Sequence, residues 1–592
     1  VIHGEVPPLI NELLLKDAGN LILDAIVEGR SSRIKEGLSL YMNIVNDINK
    51  TVPIFSVNDF YAFGLVVLTA YAVLRGIKEY MDNDELKVKV LEATNWSIYS
   101  VGSADAAIRI ISMLNTSNLS NASPDLWASI LSGVTGSVLI YYDDKRRSLI
   151  PLIDDLFVKR NAFKDWGKAK LIEARADTLS VRRTVEEKYR VLNELLSAVD
   201  EIGSEALRTL GKVYAYWRFT GTVTIHDASL KSEVEKLINI ISNADQANWL
   251  RDQQFVEYLR HYDTTRDALP NLIKSTMAKL YRIMYNVSMD LGDIENALKY
   301  REKAMEIRKE LKEWSNYIID RESTIGIKIL KANNIEEVVK ACKEFGDVYR
   351  ESVEKLMPTA DELVTRAYSL SKYLACLGIV GDEPRIKELM SSDGWLLNYI
   401  TPHDNAALRL FLSWLGMGFN KPSADEVVNA IKEHLQTDLV PALRRALGVE
   451  VNCGDECSRC CNSRLCSLAC SVVDGDRNAL SELVGMLGEL IKNIPEDIRG
   501  GFSPELVSRL VNHRPGAVIQ AIAPLRLSIA FVLALNALVN GDYDAVRAIS
   551  EYVEYAFNAP IPQKLFREFR EAVEGGDKDG IALATIKLFF YY

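Results

Sequence analysis

The apolar residues of this chain recur at spacings of three and four, as in Ile294, Ala297, Leu298, Ala304 and Met305, the period of a helix with one buried face. The one run of period two, Thr222-Val-Thr-Ile-His226, is read as an extended connector rather than part of a sheet. Helix starts are legible beside the periodic segments. Ser423-Ala-Asp-Glu426 and Thr359-Ala-Asp-Glu362 have capping-box spacing, in which a hydroxyl and a carboxylate reciprocally satisfy the first free backbone N–H groups. Ser123-Pro124-Asp125 and Ser503-Pro504-Glu505 place proline at the first helical position, where its missing N–H is no loss. The pattern predicts an all-α protein.

A turn signal repeats along the chain. It reads Gly292-Asp293-Ile294-Glu295-Asn296-Ala297-Leu298, a glycine that ends one helix followed five residues later by an apolar position. The same spacing occurs at Gly29/Ile34, Gly102/Ala107, Gly381/Ile386, Gly475/Leu480, Gly541/Val546 and Gly576/Ile581, with Asn333/Val338 as a glycine-less version. The steps from Gly292 to Asn333 (41 residues), Asn333 to Gly381 (48) and Gly541 to Gly576 (35) approach the length of helix-hairpin repeats, although Gly475 to Gly541 is 66.

With Ala297 and Ala304 seven residues apart behind that turn, the stretch from Tyr281 to Lys309 resembles a tetratricopeptide repeat, whose small residues let paired helices approach closely. Elsewhere the turn persists and the small residue does not: Val546, Leu480 and Ile581 stand where Ala297 does. The resemblance implies a degenerate tetratricopeptide-like α-solenoid, a right-handed superhelix of antiparallel helix hairpins with roughly 25 to 30 helices. The competing reading is an irregular α protein in which Gly-Asp is simply a common turn. Breaker clusters at Phe219–Ser232, Met357–Thr359, Thr401–Asp404, Ile494–Pro504 and Asn558–Pro560 mark candidate boundaries. By convenience they give an N-terminal helical-repeat region 1–218, central repeats 219–400 and C-terminal repeats 401–592 with a cysteine-rich hairpin at 453–470.

At 592 residues the chain exceeds a single compact core, and 48% hydrophobic with 26% charged residues excludes disorder for most of it. Seventy basic against 81 acidic residues, a net charge of −11, argue against a dedicated nucleic-acid binder. The basic groups Lys145-Arg146-Arg147, Lys159-Arg160 and Arg182-Arg183 lie beside acids and are read as solvated helix faces. The acid pairs Asp143-Asp144 and Asp154-Asp155 are read as hydrated helix surface. The longest apolar runs, Tyr61–Leu74 and Ser528–Val539, fall short of the roughly 20 residues of a membrane span. An opening without Met or a targeting pattern is read as a processed or excised chain.

Catalytic signatures are sparse. There is no Gly-x-x-x-x-Gly-Lys-Ser/Thr loop, no His-Glu-x-x-His and no Gly-x-Ser-x-Gly elbow, so no cofactor and no enzyme activity are expected. The one dense constellation is Cys453, Cys457, Cys460, Cys461, Cys466 and Cys470. Cys453-x3-Cys457-x2-Cys460 shares the iron–sulfur spacing of radical S-adenosylmethionine enzymes, but Arg459 replaces the usual aromatic and no βα pattern accompanies it. Four of the thiolates have spacing admissible for tetrahedral zinc. Cys453-x3-Cys457 and Cys466-x3-Cys470 also resemble the twin motif of disulfide-stapled helical hairpins, which implies Cys453–Cys470 and Cys457–Cys466 bridges. Disulfides are the favoured reading, with metal and buried free thiols as alternatives.

Persisting disulfides place a chain outside the cell or inside a thermophile. The cytoplasm of a thermophile is the reading taken here, secretion the alternative suggested by Asn-x-Ser/Thr sites near Asn115, Asn118 and Asn121. The expected function is a noncatalytic scaffold or sensor arm binding a protein or peptide through Tyr281, Tyr285 and Tyr300 on a concave face. The alternatives are an enzyme or redox/metal module built on the 453–470 cluster and a structural surface protein. The uncapped terminal run Ile586–Tyr592 is expected to dock on a neighbouring repeat or on a second copy of the chain. Nonreducing peptide mass spectrometry should find the Cys453–Cys470 and Cys457–Cys466 bridges. One equivalent of zinc or iron with reduced cysteines throughout 453–470 would overturn that pairing.

Overall fold

A computed structural model describes residues 124–138, 143–182, 185–260, 268–356, 360–434, 527–556 and 559–592, with the single residues Asn478 and Glu482. All regular structure among them is helical. The first helices are α1 (Pro124–Gly133), prolonged by a π-helical turn over Val134–Val138, α2 (Asp143–Ser148), α3 (Ile150–Val158), α4 (Asp165–Asp177), α5 (Val185–Asp200) and α6 (Glu205–Thr220). They are followed by α7 (Ser229–Ser242), α8 (Gln246–Trp249) and α9 (Gln253–Arg260). Longer helices come next: α10 (Ala268–Asp290), α11 (Ile294–Glu310), α12 (Trp314–Lys331), α13 (Ile335–Lys355) and α14 (Ala360–Val380). Then come α15 (Glu383–Asp393), α16 (Pro402–Trp414), α17 (Ala424–His434), α18 (Leu527–Val539), α19 (Tyr543–Ala556), α20 (Pro560–Gly575) and α21 (Lys578–Tyr591). None of these helices is long and apolar enough to cross a membrane. The cysteine cluster 453–470, the turns at Gly29, Gly102 and Gly475, and the boundaries at 357–359 and 494–504 lie outside the described residues.

The repeated turn is built the same way at four positions. Gly292, Gly381, Gly541 and Gly576 all have φ between +66° and +82°, the left-handed region that a Cβ disfavours. In each case the glycine N–H bonds the carbonyl three residues back, and the next residue's N–H reaches one five back: Asp293 to Ser288, Asp382 to Leu377, Asp542 to Ala537, Asp577 to Ala572. The aspartate then starts the following helix. Asp293, Asp382 and Asp542 each accept from the backbone N–H three residues on, at 3.1 to 3.2 Å. The glycine-less version works differently: Asn334 accepts from Glu337 N while Glu337 returns to Asn333 N. Ser423 and Glu426 form the reciprocal capping box expected of them, and Thr222–His226 is a connector and no strand, opening as a turn in which Thr222 N and Val223 N both bond Phe219 O, with Val223 and Ile225 buried.

The described residues fall into two compact units. One holds residues up to Val287 with Lys299–Tyr317 and Lys355–Thr365; the other holds Ser288–Leu298, Ile318–Glu354 and the described residues from Arg366 to Tyr592. The first is organised around α4, which packs on α1, α3, α5, α6 and α9. In the second, α18 to α21 pack in sequence and α16 packs on α18. There the Ser528–Val539 run is a core helix apolar all round, and α21 closes the core, with Phe589 stacked on Phe411 (4.4 Å) and Phe590 on Phe345 (5.4 Å). The terminal run is therefore covered within its own unit.

A bond absent from the sequence reading also lies in the second unit. Cys342 on α13 and Cys376 on α14 form a disulfide with Cα atoms 5.4 Å apart. Closing a loop of this length contributes about 3–4 kcal/mol by the chain-entropy estimate. No local spacing marks these two isolated cysteines, whose pairing depends on how two helices pack.

One left-handed position carries a side chain. Lys312, at φ 57°, makes the same turn between α11 and α12, with Glu313 N bonding Arg308 O. Lys312→Gly should stabilise by about 0.5–1 kcal/mol, whereas Gly381→Ala, in open space, should cost about 1–2 kcal/mol through backbone strain alone. Urea unfolding of the two variants checks both signs.

Candidate functional site

The first unit is arranged around a helix that ought not to be buried. Every residue of α4 except Asp165 and Lys168 is inaccessible, including Lys170, Glu173, Arg175 and Asp177. Small residues make the burial sterically feasible: Gly167, Ala169, Ala174 and Ala176 let neighbouring helices close in. At Gly167 the approach is tightest, since a Cβ there would stand 1.9 Å from Asp125 Oδ1 of α1. That same carboxylate accepts from Lys164 N (2.8 Å) at the α4 N-terminus.

Each α4 charge is met by a different neighbour. Asp177 accepts from Thr135 Oγ1 in the π-helical turn (2.8 Å) and from Tyr214 OH on α6 (2.8 Å). Arg218 Nε stands 2.7 Å from it, as an ion pair whose N–H is off-axis for a hydrogen bond. Glu173 accepts from Ser132 Oγ (2.7 Å), Lys170 Nζ (3.1 Å) and Tyr258 OH, and Lys170 stands 4.4 Å from the Tyr258 ring centre. The two carboxyls respond differently. Burial pushes Glu173 up, but Lys170, Tyr258 and Ser132 bring it below its ordinary value. At Asp177 burial prevails over Arg218, Tyr214, Thr135 and Arg146, and the pKa is raised.

The arginines complete the cluster and correct two expectations. Arg175 bonds Asp154 of α3 (2.9 Å) and Glu194 of α5 (2.5 Å). Arg182, buried rather than solvated, bonds the same Asp154 (2.6 Å) and pairs with Glu187 (3.3 Å). Asp154, its side chain still 34% exposed, is thus more than a hydrated surface acid: it bridges two buried guanidinium groups. Arg146 is also buried and pairs with Asp143 (2.9 Å), whereas Lys159 and Asp155 form the exposed pair expected of this region. Arg183 lies outside the described residues.

Beside this network lies a partly buried cluster of aromatic and cationic side chains. Tyr214 and Trp217 of α6 meet edge to face at 5.4 Å. Arg218 stands 4.2 Å from the Trp217 ring centre, and Lys279 of α10 stands 5.1 Å from it. Lys279 has no hydrogen bond or carboxylate partner among the described residues.

The tyrosines expected to bind a partner are held on α10 and α11. Tyr281 and Tyr300 stack at 6.3 Å with Lys303 within 6 Å of both ring centres, and Tyr285 lies under buried Arg301 at 4.5 Å. Ala297 and Ala304 are fully buried. Among the described residues no three His, Cys, Asp or Glu side chains converge as a metal site. The polar core escaped the sequence reading because its partners come from distant segments. The available signal was Asp165–Asp177 itself, where charges occur on every side of a helix rich in Gly and Ala.

Asp154 gives the core an acid dependence. Burial raises its pKa, but the bonds from Arg182 and Arg175 outweigh that and lower it overall. A depressed carboxylate contributes stability that is present above its unfolded pKa and lost as pH falls through the folded one. Asp154→Asn should therefore cost about 2 kcal/mol at neutral pH, and the difference should close below the ordinary carboxylate range, as read by denaturant unfolding at neutral and strongly acidic pH. A penalty independent of pH would sink the assignment. Neither a protein-family model, nor a curated protein, nor a solved structure matches this chain.

Proposed function

We propose that the chain is a noncatalytic helical-repeat protein, a tetratricopeptide-like scaffold or sensor arm that binds a peptide or protein partner. The observation that carries this reading is the recurrence of one turn, a left-handed glycine followed by a capping aspartate, at Gly292, Gly381 and Gly541, with the same glycine turn at Gly576. A unit repeated in this way stacks helices side by side and presents a row of similar surfaces, which suits recognition of an extended ligand. The anchors are Tyr281 and Tyr300, half-buried and stacked beneath the exposed Lys303. Tyr285 serves the packing of Arg301 instead. The Cys342–Cys376 bond supports a compartment or organism in which disulfides persist, for which we keep the cytoplasm of a thermophile.

Panning a random peptide library on the immobilised chain, then measuring the selected peptide by fluorescence anisotropy, tests the reading. Joint Tyr281→Ala and Tyr300→Ala substitution should weaken binding about tenfold or more, and Tyr285→Phe should leave it unchanged. Unaltered affinity in a double variant that still melts cooperatively would count against these anchors.

A further inference from the structure

The cluster on α6 and α10 brings two cations together, of which Arg218 has a carboxylate in contact and Lys279 has aromatic rings. Arg218 and Lys279 both face the Tyr214–Trp217 pair, so the two cations lie less than about 10 Å apart. Arg218 is held by Asp177, and its Nη2 donates to Tyr214 OH at 3.3 Å. Lys279 is held by rings alone. Glu173, the first carboxylate felt by Lys279, is already engaged by Lys170, Tyr258 and Ser132. Glu313 also faces the ammonium, and Arg218 and Arg308 oppose it; burial outweighs them all and lowers the Lys279 pKa. Repelling cations held near each other where they are partly desolvated favour an added anion.

Two further features shape the place. Arg146 is 4% exposed and stands near Asp177 and Arg218; its Nη2 is taken by Asp143, while its Nε is buried with no acceptor among the described residues. The π-helical turn brings Gly136 against the network, where a Cβ would stand 3.0 Å from Asp177 Oδ2, 3.3 Å from Tyr214 OH and 3.7 Å from Arg218 Nη2. A side chain there would press on Asp177 and Tyr214, and π-turns of this kind recur at functional sites. Tyr214, Trp217, Arg218 and Lys279 are each partly buried.

We propose that this cluster binds the phosphoryl group of a small phosphomonoester, with Lys279 and Arg218 as its cationic contacts and Tyr214 and Trp217 beside them. A tetrahedral dianion accepts from the Lys279 ammonium and the Arg218 guanidinium together, which a single carboxylate oxygen pair does less well. The site is independent of whether Tyr281 and Tyr300 hold a peptide.

Isothermal titration of the full chain with inorganic phosphate and with adenosine monophosphate, at constant ionic strength against chloride, tests this. Saturable binding is expected. Lys279→Met should weaken it about tenfold or more, Lys279→Arg should largely restore it, and Lys564→Met, a surface control, should leave it unchanged. Binding of both probes assigns recognition to the phosphoryl group; binding of the nucleotide alone adds its nucleoside as a contact. Because Lys279→Met could unfold, a second measurement needs no variant: phosphate should slow acylation of Lys279 by an amine-reactive ester, mapped by peptide mass spectrometry. No saturable heat with either probe at about 10 mM, wild-type affinity in Lys279→Met, or unprotected Lys279 would overturn the proposal.

Discussion

Four ionisable side chains on a helix with almost no exposed surface impose the strongest constraint on this molecule. A buried charge left without a partner costs several kcal/mol, so Lys170, Glu173, Arg175 and Asp177 can be accommodated only in an arrangement that answers all of them together. The helices around α4 do this one by one. Ser132 and the π-helical Thr135 extend from α1, Asp154 from α3, Glu194 from α5, Tyr214 and Arg218 from α6, and Tyr258 from α9. Rotating or sliding any one of them by a turn would strand a charge. An apolar contact tolerates such a shift far better, so the polar core fixes register even where its net contribution to stability is modest.

The π-helical turn has its explanation in the same demand. Thr135 reaches Asp177 while its hydroxyl also stands 2.8 Å from Leu131 O and 3.4 Å from Ser132 O, a local competition that loosens a regular helix. Widening the turn leaves Gly136 lying against Asp177, Tyr214 and Arg218, a place where any side chain would intrude.

What could be read from the sequence divides along the range of the interaction. Helix period, the Ser423–Glu426 box and the Gly-Asp turns are settled within five or six residues, so their spacing carries the physics directly. The Thr222–His226 connector was legible for the same reason. The polar core was not: Tyr258 meets Glu173 across 85 positions and Arg218 meets Asp177 across 41, and no local pattern announces either. Neighbouring acids misled in the same way. Asp155 is the exposed partner of Lys159, whereas Asp154, one residue away, points inward to two arginines, a difference of helix face that charge composition cannot reveal. The cation–aromatic cluster shares this character, since Trp217 and Lys279 are 62 residues apart.

The two compact units accordingly hold their shape by different means. In the second, an apolar helix, α18, and the stacked rings of Phe345, Phe411, Phe589 and Phe590 fill the interior, and a covalent bond ties α13 to α14. Such contacts are tolerant of small displacements and suit a surface repeated along a chain. In the first, directional pairs around α4 permit one arrangement, and Arg218 belongs both to that network and to the aromatic cluster beside it. A guanidinium anchored by Asp177 and set over Trp217 is held in place at little further entropic cost. Preorganisation of this kind is what a recognition site for a compact anion requires, and it follows here from the same charges that make α4 so demanding to bury.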